Sequence, residues 1–172
     1  MPAANASIPD PQSEVLRLFG EQGPSLYRFC RSMLGEGDDA EDVVQDTFLK
    51  LLQHLQSAGD RANLRAWLFT VAANGCRDRV RLRLRWLPWR SDLDRRTSEP
   101  QTETRDVGAA RLAMRELAPR DRLLLALRAQ GLSYAEIARA AGIRPASVGR
   151  LLARAVDRWK KKVDHHGMFA RR

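Results

Sequence analysis

The sequence predicts an all-α protein in which two small helical domains are joined by a flexible linker. Apolar residues recur at helical spacing from Glu14 to about Leu87, lose that spacing, and regain it from about Ala109. The 172 residues are enough for one ordinary domain or two very small ones. The predicted boundaries are an arm at 1–13, a first domain at 14–86, a linker at 87–106, a second domain at 107–164 and a tail at 165–172.

Helical segments follow one another through the first domain. The pattern starts with Val15 and Leu18, and Gly23-Pro24 predicts a break between two segments. Asp38 is placed to cap the next helix, whose positive first turn holds further acidic residues. The buried stripe of that helix is predicted to comprise Val44, Phe48, Leu51 or Leu52, and Leu55.

A polar loop at 56–63 precedes a third helix, which carries Trp67. The alternating stretch from Val80 to Trp86 fits a strand or a helix, and its direct continuation of the third helix favours a helix. Prolines, serines and threonines between about 87 and 106 then predict an extended linker.

The second domain contains a helix-turn-helix signature. Pro119 suits the first turn of one helix, and Ser133 to Glu136 forms a capping box for the next. Gly142 takes the turn before a final helix from about Pro145 through Trp159. The alternative interpretation is a helical hairpin with a solvated basic face.

The overall charge indicates a polyanionic partner. The chain has 30 Lys and Arg against 21 Asp and Glu, a formal net charge of +9, which favours nucleic acid first and an anionic membrane surface second. No stretch predicts a membrane span or a signal peptide, so we expect a cytoplasmic protein. Cys30 and Cys76 lie among apolar neighbours, which favours small buried side chains over a thiol switch, and the His165-His166 pair is a weak metal signal.

Three blocks of the chain resemble the sigma-70 family, in the family's own order. Its region 2.2 is similar to 38–50, Asp-Asp-Ala-Glu-Asp-Val-Val-Gln-Asp-Thr-Phe-Leu-Lys, and its regions 2.3 and 2.4 to 65–74, Arg-Ala-Trp-Leu-Phe-Thr-Val-Ala-Ala-Asn. The helix-turn-helix resembles region 4.2 and follows a Leu117-Ala-Pro-Arg-Asp-Arg turn of the family's type. The short linker, without a middle domain, is typical of the extracytoplasmic-function (ECF) subfamily.

The resemblance implies a polymerase-binding surface on the region 2.2 helix. Asp42, Gln45 and Asp46 occupy positions with which the family grips the clamp helices of the polymerase's largest subunit. Their spacing puts them on one helical face, away from Phe48. Acids that merely favour the helix dipole are the alternative, but it explains only the first turn and leaves Gln45 and Asp46 without a role.

The resemblance also implies that the first domain reads and opens the minus-ten element. The loop 56–63 matches the family's loop that captures a flipped base, and eight arginines between Arg77 and Arg96 suit a path along phosphates. The implied minus-ten residues are Asp60, Arg61, Asn63, Trp67, Asn74, Arg77 and Arg81. The alternatives are a core position for Trp67, a solvated flank for the arginines, and interfacial membrane binding through Trp86 and Trp89.

The helix-turn-helix would bind the minus-thirty-five element. The implied residues are Arg144, Ser147, Arg150 and Arg154, with Arg158 and Lys160 to Lys162 near phosphates. This chain departs from the family at Gly149 and Leu151, where many members have basic residues. Arg144 and Arg150 could substitute, or binding could depend more on phosphates and on the minus-ten loop.

The implied function is that of an ECF-type sigma factor, which has no catalysis of its own and gives core RNA polymerase its promoter specificity. The implied partners are the polymerase clamp helices, the flap of its second-largest subunit, promoter DNA, and an anti-sigma factor that could hold the chain at the inner membrane. We expect no cofactor, no metal and no stable membrane insertion. The alternative is a stand-alone helix-turn-helix regulator; an enzyme on nucleic acid would need a carboxylate cluster or an activated nucleophile.

Overall fold

Helices make up the regular structure of residues 10–35, 37–86 and 105–169, the part of the chain that the computed structural model describes. They are α1 Pro11–Leu34, α2 Gly37–Gln56, α3 Leu64–Trp86, α4 Arg105–Arg115, α5 Pro119–Ala129, α6 Tyr134–Ala141 and α7 Pro145–Phe169. No strand occurs in these ranges, so the all-α prediction is confirmed, including the helix from Val80 to Trp86. Most of the predicted arm and linker, with Trp89, lies outside the described residues.

α1 begins earlier than the apolar pattern predicts. Pro11 occupies its first turn, where a missing N–H breaks no helical hydrogen bond. Asp10 caps the helix, because its Oδ2 accepts a hydrogen bond from the Ser13 backbone N–H at 3.2 Å. The predicted arm at 1–13 is therefore too long by its last three positions, because the helix starts at Pro11.

α1 also runs through the predicted break at Gly23-Pro24, and that prediction is wrong. Pro24 lies inside the helix, where it cannot donate to the carbonyl of Gly20. The residues on both sides bury one continuous face, which includes Leu18 and Phe29. Burial of each large apolar side chain contributes about 1.5–3 kcal/mol, and several together outweigh the roughly 3 kcal/mol cost of an interior proline.

α1, α2 and α3 pack as a three-helix unit around a shared core. The buried stripe of α2 contains Val44, Phe48, Leu51 and Leu55, which decides for Leu51 over Leu52. Phe29 of α1 meets Phe69 of α3 edge to face, with ring centroids 5.5 Å apart. This core fixes the sides of α2 and α3 that face solvent.

The two cysteines meet inside this unit, Cys30 on α1 and Cys76 on α3. Both thiols are free and wholly buried, as predicted. A hydrogen bond with Cys76, together with burial, raises the pKa of the Cys30 thiol far above its usual range. Because the thiolate is the reactive form, this arrangement favours unreactive packing over a thiol switch.

α4 to α7 form a second unit, in which α6 and α7 are the predicted helix-turn-helix. The capping box of α6 is confirmed: the Glu136 N–H donates to Ser133 Oγ at 3.3 Å, and the Ser133 N–H donates to Glu136 Oε2 at 2.6 Å. Gly142 ends α6 in the left-handed region, with φ of 67°, and makes the predicted turn.

The outer helices of the second unit are longer than predicted. α4 begins at Arg105, inside the predicted linker, and α7 continues past Trp159 to Phe169, into the predicted tail. The lysines after Trp159 are good helix formers, and no proline or glycine interrupts them before Gly167. The Trp159 Nε1–H donates to the Ala110 carbonyl at 3.1 Å and ties α7 to α4.

The two units are in contact with each other. α5 lies against α1, and α6 lies against α3. Buried apolar residues of both units form one continuous cluster, and Arg122 on α5 donates to the Met33 carbonyl at the end of α1, at 3.4 Å. This packing brings the helix-turn-helix beside the helix that carries the implied minus-ten residues.

Candidate nucleic-acid and polymerase interface

The predicted polymerase-binding residues lie together on the exposed side of α2. Asp42, Gln45 and Asp46 are all exposed, whereas Phe48 is buried, as their spacing predicts. Asp42 is the one of the three with a described ion pair, since its Oδ2 accepts from Arg79 at 3.2 Å. Their contact with polymerase stays a prediction.

A large apolar groove runs along one side of these residues, between α1 and α2. It has a volume of about 810 Å³, and Gln45 lies at its wall. Phe19 of α1 and Leu49 of α2 also line it and are each 53% exposed. Such an open apolar surface is typical of a protein–protein contact site. Asp46 instead borders a smaller depression between α2 and α3.

Asp39 fixes how α2 sits on α3, a role that the sequence analysis missed. Its carboxylate pairs with Arg79 at 2.6 Å and with Arg83. Burial alone would raise the pKa of Asp39, but the hydrogen bonds and charges of the two arginines outweigh burial and hold the pKa below its usual value. Asp39 thus does more than favour a helix dipole, because it orients the α2 residues next to it.

The loop between α2 and α3 is organised by His54, a second residue that the sequence analysis missed. The His54 ring stacks on Trp67, with centroids 4.8 Å apart, and its Nε2 lies 2.8 Å from the Asp60 carbonyl oxygen. Trp67 is half-buried, so it is neither a fully buried core residue nor a fully exposed ring on which a base could stack. The signal was present in the sequence, as two rings flanking a loop that contains Gly59.

Two of the implied loop residues have their side chains engaged. Asp60 Oδ1 accepts from the Ala62 N–H at 2.8 Å, within the loop. Asn63, with φ of 54°, caps α3 by accepting from the Ala66 N–H at 3.1 Å. The Asn63 side-chain amide also donates to Glu136 of the second unit.

The α3 residues implied for the minus-ten element lie on one side of the helix, but they are not all open to solvent. Asn74 is exposed and accepts from Arg77, and Arg81 pairs with Asp78 at 3.5 Å. The Arg77 guanidinium is half-buried and donates to carbonyls at the end of α6. The helix-turn-helix therefore covers part of this side of α3.

The start of α7 presents arginines to solvent. Arg144, Arg150 and Arg154 are exposed, and Ser147 is half-buried. A Cβ on Gly149 would lie 3.4 Å from the exposed Tyr134 ring, which is an ordinary van der Waals contact. Leu151 packs partly against the core. Packing thus explains the departure from the family pattern at Leu151, and nothing in the structure explains the one at Gly149.

Two residues expected near phosphates form ion pairs within the second unit. Arg158 pairs with the buried Asp121 at 2.6 Å, and Lys162 pairs with Glu116 at 2.9 Å. Across the described ranges, no group of three or more His, Cys, Asp or Glu side chains could hold a metal ion. Nor is any described helix long and apolar enough to cross a membrane.

Family models match both units of the chain. They are Sigma-70 region 2, over residues 18–85, and Sigma-70, region 4, over residues 108–158. The ECF RNA polymerase sigma factor EcfG of Rhodopseudomonas palustris is 35% identical over 145 residues, which cover 81% of this chain and 77% of that protein. The ECF sigma factor SigL of Mycobacterium tuberculosis is 47% identical over 58 residues, so the match spans only 33% of the length of SigL.

Two solved structures have a similar fold. One is the sigma factor RpoE in complex with the anti-sigma factor NepR from Bartonella quintana, with a TM-score of 0.71 and 25% identity over 89% of this chain and 96% of that one. The other is CnrH with the cytosolic domain of CnrY, with a TM-score of 0.65 and 24% identity over 90% of each chain. From the two family matches and the similarity to EcfG, the chain belongs to the ECF group of the sigma-70 family.

Proposed function

We propose that this chain is a sigma factor that binds core RNA polymerase and directs promoter-specific initiation. The observation that carries the proposal is the pairing, in one chain, of an exposed polar ridge on α2, formed by Asp42, Gln45 and Asp46, with a helix-turn-helix. A stand-alone regulator would use the helix-turn-helix and leave the ridge without a partner. Specificity then comes from binding, and no catalytic step is assigned to the chain.

The ridge on α2 is proposed to bind the clamp helices of the largest polymerase subunit. Its two carboxylates suit a basic partner surface, because complementary charges would orient the two proteins and raise the rate of association. The Asp39 ion pairs with Arg79 and Arg83 hold the ridge in place before the partner arrives. The second unit would contact the flap of the second-largest subunit.

The loop between α2 and α3 is proposed to receive a base of the melted minus-ten element. Removing a base from the stack costs a few kcal/mol, and stacking on an aromatic side chain returns about 1–3 kcal/mol. The half-buried Trp67 stacks one face of its indole on His54, which holds the ring in place for a base to contact. The basic side of α3, with Arg77 and Arg81, would follow the phosphates.

The start of α7 is proposed to enter the major groove at the minus-thirty-five element. Exposed Arg144 and Arg150 are long enough to reach guanine edges, and Arg154 lies one turn further on, where phosphate contact is expected. The absence of a side chain at Gly149 leaves base reading to these neighbours. Promoter engagement would thus take both units of the chain.

We propose an anti-sigma factor as a further partner. RpoE and CnrH, to which this fold is similar, were solved with NepR and with the cytosolic domain of CnrY. The apolar groove between α1 and α2 supports such a partner, because Phe19 and Leu49 leave an open apolar surface beside Gln45. A protein bound there would compete with polymerase for the same side of α2.

In vitro transcription tests the proposed function. Core polymerase is assayed with and without this protein on promoter fragments from upstream of its own gene. Wild type is expected to start specific transcripts, and a variant with Asp42, Gln45 and Asp46 all replaced by alanine is not. The control replaces the exposed Asp157 and Asp164 of α7 by alanine, which removes two negative charges as well. Duplex binding by the free chain without any polymerase-dependent transcript would instead support a stand-alone regulator.

A further inference from the structure

A set of hydrogen bonds joins the second unit, at α6 and at the end of α5, to α3 and the loop before it. Arg77 donates to the Ala140 carbonyl at 2.9 Å and to the Ala141 carbonyl at 3.4 Å. The remaining bonds run from Asn63 to the Glu136 carboxylate and from Arg65 to the Gln130 carbonyl. In every one of them, the first unit donates and the second unit accepts.

The accepting groups have the chemistry of DNA. A carboxylate and the carbonyls at the negative end of a helix are anionic or partly negative oxygen acceptors, as are phosphate oxygens and the carbonyls of bases. Asn63 and Arg77 are two of the residues assigned to the minus-ten element. The Ser133 N–H and the Asn63 amide together hold the pKa of Glu136 below its usual value, which keeps its carboxylate charged.

We propose that, in the free chain, the helix-turn-helix unit masks the minus-ten surface by imitating DNA, with the Glu136 carboxylate on Asn63 and the carbonyl end of α6 on Arg77. This inference rests on the proposed function. It adds that the unbound protein is closed to the minus-ten strand, and that promoter engagement requires the two units to separate.

The promoter geometry requires this separation. Elements centred near minus ten and minus thirty-five are ~25 base pairs apart, which is roughly 85 Å of duplex at 3.4 Å per step. In the closed chain, α6 touches α3, so the two DNA-binding surfaces lie side by side. A single chain in this arrangement cannot reach both elements, and polymerase would have to hold the units apart.

The mask is built so that it can open without unfolding α6. Glu136 uses Oε2 for its own capping box, at 2.6 Å from the Ser133 nitrogen, and offers Oε1 to Asn63. Separation of the units removes the second contact and leaves the first intact. Asn63 likewise keeps its bond to the Ala66 N–H at the start of α3.

Glu136→Gln tests the mask with the least disturbance. Glutamine is accepted in a capping box, so α6 should remain folded while the charge that imitates a phosphate is lost. The matched control is Glu116→Gln, which makes the same charge change in the same unit, where the carboxylate pairs with Lys162 and His166 instead. Far-ultraviolet circular dichroism of both full-length variants checks that they keep wild-type helicity.

The probe is a fluorescein-labelled single strand of 20 nucleotides, taken from the non-template strand of a promoter found by in vitro transcription. Binding to the free, full-length protein is followed by fluorescence anisotropy. Glu136→Gln is expected to bind about threefold to tenfold more tightly than Glu116→Gln, the effect of weakening one charge-assisted hydrogen bond. Equal affinities of the two variants would refute masking by Glu136.

Small-angle X-ray scattering of the wild type gives an independent reading. A closed chain of 172 residues should have a radius of gyration of about 16 Å, which should rise when the oligonucleotide binds. A free wild type that is already extended would overturn the proposal. If wild type programs polymerase but the anisotropy does not distinguish Glu136→Gln from Glu116→Gln, the mask fails and the sigma function stands. If wild type yields no specific transcript from any template, the proposed function itself fails.

Discussion

Replacing Gly59 with alanine is expected to disorganise the loop between α2 and α3. A Cβ at this position would lie 2.3 Å from the Cε1 atom of His54, so the imidazole ring would have to move. The move would separate His54 from the Trp67 ring, a stacking contact worth about 0.5–1.5 kcal/mol. It would also break the hydrogen bond to the Asp60 carbonyl, worth a similar amount.

The expected net loss for Gly59→Ala is about 1–2 kcal/mol in the free energy of unfolding, because alanine restricts the unfolded chain and returns about 0.4–1 kcal/mol. Urea unfolding of the full chain, followed by circular dichroism, measures this loss. Transcription should fall further than stability alone explains, because the displaced ring no longer holds Trp67 for a base. Polymerase binding should be unchanged, since the ridge on α2 is remote from the loop.

Ala58→Gly is the control for this prediction. Ala58 has φ of 55°, where a side chain costs roughly 1 kcal/mol, so glycine relieves strain while losing a similar amount to chain entropy. Its stability and transcription should therefore stay close to wild type. Gly59→Ala with a wild-type unfolding midpoint and wild-type transcription would refute the role of His54. Equal losses in both variants would mean that the loop resists any change, and the ring would not be the cause.

Two further predictions concern other parts of the chain. Arg150→Ala should lower transcription from the promoters of this protein at least fivefold, since a bidentate contact to a base is worth about 1–3 kcal/mol. The charge-matched control is Arg120→Ala, at another exposed arginine. Equal transcription by Arg150→Ala and wild type would remove Arg150 from the DNA-binding residues. Asp39→Asn should cost about 1 kcal/mol of unfolding free energy near pH 7. Because the arginines lower the folded-state pKa of Asp39, the stability difference between wild type and Asp39→Asn should persist down to about pH 4 and be lost as pH falls through the lowered pKa. Loss of the difference already at pH 6 would contradict the role given to the Asp39 ion pairs.

Sequence reasoning succeeded where the determinants of structure are local. The capping box of α6 needs only Ser133 and Glu136, three positions apart, and the turn at Gly142 needs only a residue that tolerates positive φ. The buried stripe of α2 follows from helical period alone. The exposure of Asp42, Gln45 and Asp46 follows from the same period, which explains why that surface was predictable in outline.

Prediction from the sequence failed where contacts between distant parts of the chain determine the structure. Pro24 looks like a break from its neighbours, but the apolar face on both sides of it is buried against other helices. Asn63 and Glu136 are 73 positions apart, and no periodicity links them. Asp39 meets Arg79 across 40 positions for the same reason. Such pairs depend on how the helices pack, which local pattern does not determine.

α1 is continuous through Pro24, but its backbone hydrogen bonding is interrupted there. The Gly20 carbonyl lacks its usual backbone donor, so the helix ladder is weakest between its two halves. The first half buries Leu18 and Gly23, whereas the second buries Leu26, Phe29, Cys30, Met33 and Leu34. Amide hydrogens before Gly23 should therefore exchange with solvent through a local opening that leaves the second half closed. The apolar groove borders this first half of α1. A partner bound in the groove would therefore slow the exchange of these amide hydrogens, and the slower exchange would reveal that the partner is bound.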